Sequence, residues 1–420
     1  MVAAVSEETP IEEYPILEAP ADGIPPVVDT PEALAETRRA LREGQGPIAI
    51  DTERAQGYRY TAKAYLIQLR REGSGTHLID PVAFEGGAPR ADFSAMAAEL
   101  ADDDWILHAA SQDLPCLAEL GLLPTHLFDS ELAARLLNLP RVNLSALMET
   151  ALGLTLRKEH SAADWSKRPI PDDWLAYAAL DVERLVDLRL WLIDELQKAD
   201  KLEWAHQEFA HLVAHAADPA PVRRDPWRRT SGLHAIHSPA ALAVVRELWI
   251  AREQIAERLD RAPGRVVPDR AITELAELVE TGKTKRLTRN DLRSVRSFNN
   301  RLAVRYEQDW LAATDRAASL THAELPLRHL PVDGPPQPRS WERRWPSSFE
   351  RFYRVRPALA ELAEEVNVPL ENLLSPDHLR RLLWDSPDQT TEEAIEAHLV
   401  ELGTRPWQRA LVVPVIAKSW

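Results

Sequence analysis

Residues 48–53 read Ile-Ala-Ile-Asp-Thr-Glu, three apolar positions followed by two carboxylates on either side of a hydroxyl. Alternate side chains of a strand point to one face, so Asp51 and Glu53 project together. Two like charges held that close repel, and neither helps the strand to pack. Two further segments extend the pattern. Ile-Leu-His-Ala-Ala-Ser-Gln-Asp (106–113) sets Asp113 in the first turn of a helix just after a strand, and Leu-Ala-Tyr-Ala-Ala-Leu-Asp (175–181) sets Tyr177 and Asp181 four apart on one helix face. Singly, these are a solvated strand end, a helix-dipole charge, a half-buried aromatic and a surface acid. Together, four acids on apolar segments need a counter-charge. Hard oxygen ligands with no neighbouring Cys/His cluster select Mg2+ or Mn2+ over zinc. Two such ions, about 3.5–4 Å apart, suit in-line displacement at phosphorus. The acids then hold metal rather than act as bases. An ordinary tyrosine pKa of about 10 casts Tyr177 as orienting the attacking water rather than taking its proton.

The elements that must position these groups follow from periodicity. A helix over about 31–43 leads into the strand Pro-Ile-Ala-Ile-Asp-Thr-Glu, and Ala-Tyr-Leu-Ile-Gln-Leu-Arg-Arg and Thr-His-Leu-Ile-Asp-Pro follow as strands across a Gly-Ser-Gly turn. Strand–helix alternation then runs to residue 137, and helical periods continue to about 200. Hairpin strands first and alternation afterwards imply a mixed sheet flanked by helices. Residues 1–28 read as a disordered acidic tail, 29–215 as the sheet-bearing domain and 216–237 as a linker. A helical domain over 238–318 is followed by a Pro-rich linker (319–340) and a second helical domain (341–420).

The chain has 420 residues, a net charge of −16 and one cysteine, Cys116. A single cysteine excludes an internal disulfide framework, and the acidic, proline-bearing start lacks the features of a signal peptide, so a cytoplasmic location is expected with no membrane contact. The charge is uneven: residues 221–310 carry 18 Lys/Arg against 12 Asp/Glu. A basic segment beside an acidic one suits a nucleic acid gripped by one part and processed by another, or is simply a solvated helix face.

The three acidic segments resemble the exonuclease motifs of the DEDD superfamily, in its tyrosine-bearing branch, and specifically the ribonuclease D family. The stretch LRKEHSAADWSKRPIPDDWLAYAALDVERL is similar to that family's extended third motif, and the likeness spans roughly residues 29–210. The resemblance implies a ribonuclease-H-like mixed sheet and stepwise 3′→5′ hydrolysis of RNA to nucleoside 5′-monophosphates. It places Asp51, Glu53, Asp113 and Asp181 as ligands of two divalent cations, and Tyr177 as the water-orienting residue. It also implies RNA with a free 3′ end, such as a tRNA precursor, as partner. A DNA exonuclease and a non-catalytic RNA-binding adaptor are the alternatives. One departure is Arg54, where the family usually has an aromatic; Tyr58 or Tyr60 is a substitute ring. His108 reads as a nucleotide contact or a structural group, and Gln68 as facing the cleft or capping a sheet edge. Lys158, Trp165 and Arg168 read as phosphate and base contacts, with plain packing the rival for Trp165. Residues 238–278 resemble the helicase-and-RNase-D C-terminal (HRDC) domain, with Arg261, Arg265, Lys283, Lys285 and Arg286 as phosphate contacts, and residues 341–420 resemble a second, diverged HRDC domain.

Overall fold

A computed structural model describes residues 14–156, 160, 162–219, 221–330, 334–384 and 391–420. Among the described residues, eight strands lie in the first part of the chain: β1 (Ile16–Leu17), β2 (Val27–Val28), β3 (Gln45–Arg54), β4 (Ala64–Glu72), β5 (Gly75–Ile79), β6 (Asp104–Leu107), β7 (His126–Asp129) and β8 (Thr155–Leu156). Six form one sheet in the order β2-β5-β4-β3-β6-β7. The β5-β4-β3 run is antiparallel, whereas β2, β6 and β7 pair in parallel, which gives the expected mixed sheet. Strand β3 is central. Its Ile48, Ala49 and Ile50 are fully buried because helices cover both faces, which is why its sequence runs apolar without alternation.

Among the described residues, eight α-helices accompany the sheet: α1 (Pro31–Glu43), α2 (Ser94–Glu99), α3 (Leu114–Glu119), α4 (Ser130–Leu136), α5 (Leu144–Leu152), α6 (Asp172–Glu183), α7 (Leu185–Lys198) and α8 (Leu202–Ala214). Thr30 caps α1 by accepting from the Ala33 amide, with Pro31 at the first helical position. Leu41 of α1, Met96 of α2 and Leu114 and Leu117 of α3 pack with Ile50, Ile67 and Leu69 on one face. Leu175, Ala178 and Ala179 of α6 pack with Leu66 and Leu78 on the other.

The structure corrects three expectations. Residues 14–28 are not a bare tail: β1 pairs with β8, and β2 extends the main sheet beside β5. Among the described residues, parts of both linkers are tied to the folded structure. Trp227 and Ile236 are buried in the core of the first helical domain, and Arg228 donates to the Leu327 carbonyl at 2.8 Å, strapping the second linker down. The last helical domain does not stand apart. Its Trp341, Val355, Trp407 and Ile416 share one continuous core with Leu147, Leu188, Leu192 and Phe209 of the sheet-bearing part. Trp407 stacks on Trp204 (4.8 Å, 13°) and donates to Glu208 at 2.8 Å.

Candidate active site

The site forms where β3, α3 and α6 converge. The alternation of β3 sends Asp51 and Glu53 to the face covered by α6, and the 3.6-residue period of α6 brings Tyr177 and Asp181 onto them. Ligand oxygens of Asp51, Glu53 and Asp181 lie within 4.8 Å of one another. Three carboxylates at that spacing fit one hard divalent cation. Asp113 arrives by another route. Its segment leaves β6 through a left-handed residue, Ala109 (φ 58°), an uncommon conformation for a residue with a Cβ. The Asp129 carboxylate holds that turn by accepting from the amides of Ala109 (3.1 Å) and Ala110 (2.9 Å) while it also caps α4. The Asp113 carboxylate stands beside the trio, where Thr52 Oγ1 donates to it at 2.6 Å.

The electrostatics are those of crowded, buried acids that Arg54 offsets only in part. Burial, then repulsion from Asp113 and Asp181, pushes the Asp51 carboxyl well above the usual range, and Glu53 is raised in the same way. Burial lifts Asp113 to about 6 and Asp181 to about 7. Tyr177 is hydrogen-bonded to Asp181, and burial together with the neighbouring acids raises its pKa far above its ordinary value. Its phenol stays protonated throughout the neutral range.

A cleft of 570 Å³ opens beside these groups, lined in part by Asp51, Thr52, Arg54, His108, Asp113 and Arg141. His108 lines it, yet burial lowers its pKa to about 4 and its Nδ1 pairs with Ser130 Oγ at 2.9 Å. Gln68 sits opposite Asp51 across the β3–β4 register. It is fully buried rather than at a sheet edge, and neither amide atom has a protein partner among the described residues.

Several anticipated contacts with nucleic acid go elsewhere. Trp165 is fully buried, 5.3 Å from the Trp174 ring and 6.4 Å from the Tyr177 ring, because it wedges α6 against the sheet. Arg168 is clamped on Asp80 (2.5 and 2.6 Å) and on the Tyr65 carbonyl, leaving it no free fork for phosphate. Lys158 lies outside the described residues. Arg265 stacks over the Tyr58 ring at 3.9 Å and donates to the Gly57 carbonyl at 2.6 Å. It therefore docks the first helical domain onto the loop that follows β3. Asp260 reinforces that joint by accepting from Thr61 N and Oγ1, and Tyr60 packs into the helical core, so neither loop tyrosine supplies a free ring. Arg286 pairs with Asp315 at 2.7 Å, whereas Arg261, Lys283 and Lys285 are exposed.

Sequence reasoning did not assign roles to Arg54, Thr52 or His160. Arg54 Nη1 donates to the Gln112 carbonyl at 2.6 Å, and its Nη2 lies 3.8 Å from Asp113 Oδ1. The polar side chain at a position where a ring was expected was the available signal. His160 stands edge-on to Tyr177 at 6.0 Å, and its Nε2 lies 3.2 Å from Asp173 Oδ2.

The chain is similar to known proteins in sequence and in fold. A family model described as a 3′-5′ exonuclease matches residues 25–197, and an HRDC domain model matches 241–314. The last helical domain, expected as a second HRDC domain, matches instead a model described as a 3′ to 5′ exonuclease C-terminal domain over 334–420. Ribonuclease D of Pseudomonas paraeruginosa is 32% identical over 317 residues, covering 73% of this chain and 77% of that protein. Ribonuclease D of Granulibacter bethesdensis is 28% identical, with 87% of each chain covered. A crystal structure of a protein from Bifidobacterium adolescentis superposes with a TM-score of 0.85 at 36% identity, covering 97% of this chain and 99% of that one. Escherichia coli RNase D, an exoribonuclease involved in structured RNA processing, has the same fold, with a TM-score of 0.62 at 23% identity over 90% of this chain and 98% of its own.

Proposed function

This chain belongs to the ribonuclease D family, and from that premise we propose that it is a metal-dependent 3′→5′ exoribonuclease that shortens structured RNA such as tRNA precursors, releasing nucleoside 5′-monophosphates. The observation that carries the reading is the convergence of Asp51, Glu53 and Asp181 within 4.8 Å, from a strand and a helix distant in sequence. These three would hold one divalent ion, and Asp113 with Asp51 a second; Mg2+ and Mn2+ both suit such oxygen donors. Bound ions would lower the pKa of water and offset charge at phosphorus. Tyr177 is protonated and engaged with Asp181, so its oxygen orients the attacking water by accepting a hydrogen bond and does not remove its proton. The 570 Å³ cleft supplies the space for the terminal nucleotide. No helix among the described residues is long and apolar enough to cross a membrane, in keeping with action on RNA in the cytoplasm.

The test uses the full chain with a 3′-extended tRNA transcript and matched single-stranded RNA and DNA, in Mg2+ and then in EDTA. Expected are products that shorten one nucleotide at a time from the 3′ end, no reaction in EDTA, and loss of hydrolysis with retained folding in Asp51→Asn. Equal degradation of DNA would favour a DNA exonuclease, and an Asp51→Asn variant with full activity would refute the metal role.

A further inference from the structure

The fourth acid of the cluster is paired differently from the other three. Asp51, Glu53 and Asp181 form one ligand set, whereas the Asp113 carboxylate accepts from Thr52 Oγ1 at 2.6 Å and faces Arg54 Nη2 at 3.8 Å. The arginine is anchored, not loose. Its Nη1 donates to the carbonyl of Gln112, the residue next to Asp113, at 2.6 Å, and only 18% of its side chain is exposed. A guanidinium carries its charge at every accessible pH and its donors form a rigid fork. It therefore stands as a fixed positive charge beside the carboxylate that a second divalent ion would need, within the cleft that would receive the RNA end.

We propose that Arg54 is a resident counter-cation for Asp113 that makes metal uptake stepwise: one ion loads freely at Asp51, Glu53 and Asp181, and the second loads well only when a phosphate in the cleft draws off the guanidinium. A phosphate can compete for this arginine because the Nη2–Asp113 contact, at 3.8 Å, is longer than a hydrogen bond, whereas a bidentate, charge-assisted phosphate pair would be a stronger one. Once released from Asp113, Arg54 becomes a positioning residue for the terminal phosphodiester. The acid cluster is then fully charged with metal only when substrate is seated. This inference rests on the metal-centre reading above. A purely structural role, in which Arg54 only ties the end of β3 to the segment before α3, predicts no effect on metal binding.

The test is Mn2+ binding to the full chain, read by electron paramagnetic resonance and calorimetry, with and without adenosine 5′-monophosphate as the phosphate probe. Wild type should bind one Mn2+ tightly and a second at least tenfold more weakly, and the nucleotide should narrow that gap. Arg54→Gln should keep the first affinity unchanged, which also reports an intact fold. It should bind the second ion at least tenfold more tightly than wild type, with no further gain from the nucleotide. Arg54→Lys, which keeps a positive charge but loses the fork that holds it in place, should bind the second ion more tightly than wild type and less tightly than Arg54→Gln. Superimposable isotherms for wild type and Arg54→Gln would overturn the proposal while leaving the metal centre standing. No Mn2+ binding to wild type at all would instead remove the metal-centre reading on which it depends.

Discussion

Asp181→Asn should stabilise the metal-free protein at alkaline pH while abolishing its response to metal. Burial raises the Asp181 carboxyl from 3.8 to about 7, so between those values the folded chain binds more protons than the unfolded one. Stability linked to this group is therefore full at low pH and is lost as pH rises through about 7. A shift of that size corresponds to a ceiling of about 4 kcal/mol on the cost of ionising Asp181 in the folded state. The side chain is half-buried, Asp51 and Glu53 keep part of the repulsion, and the Asn amide must still meet the Tyr177 hydroxyl. A gain of about 2 kcal/mol at pH 8 follows as the working expectation. Thermal unfolding in EDTA should show the variant melting a few degrees above wild type at pH 8, with the difference shrinking towards pH 5. Millimolar Mn2+ should reverse the order, because an ion that binds only the folded wild type stabilises it by mass action. A metal-free variant that melts at or below wild type at pH 8 would refute the charge-repulsion account. So would a wild type indifferent to Mn2+.

Other expectations are as direct. Tyr177→Phe should lower kcat by about 10- to 100-fold, taking a water-orienting group as weaker than a general base, without changing Mn2+ stoichiometry measured by calorimetry. Trp165→Ala should cost about 3–5 kcal/mol of stability in urea unfolding, as for a large buried aromatic, while Trp165→Phe should keep the RNA affinity measured by filter binding. Arg265→Ala should lower kcat on a short single-stranded oligonucleotide by loosening the loop after β3. A change confined to the salt dependence of structured-RNA binding would return Arg265 to the phosphate contacts.

How much could be read from the chain alone depends on the range of the interactions. Asp51, Glu53, Tyr177 and Asp181 were legible because two local periods, 2 along β3 and 3.6 along α6, fix which side chains share a face. The mixed sheet was legible from the order of elements, hairpin strands first and strand–helix alternation afterwards. Strands β1 and β2 were not, since each is two residues long and exists only through pairing with β8 and β5, far along the chain. Trp165 sits in a polar stretch with no apolar period, so only tertiary packing reveals its burial. Arg265 looks like any basic loop residue until Tyr58 and Gly57 are brought beneath it across about 200 positions. The proline-rich segments mark interruptions of the helical period, but proline marks where regular structure stops and says nothing about which surfaces meet afterwards.

The shared core of the first and last parts makes the middle helical unit a topological insert rather than a trailing appendage. A genetic rearrangement could exchange residues 238–318 and still leave the outer pair able to close on each other, provided Trp227 and Ile236, which belong to the same core, went with them and the loop after β3 found a new support. Shortening from the carboxyl end has the opposite effect. It would strip Trp407 and Ile416 from Phe209 and Leu192 and leave the nuclease with an oily flank open to water. Trimmed versions meant to isolate the cutting unit should therefore keep their final 87 residues, 334–420, and give up the middle instead.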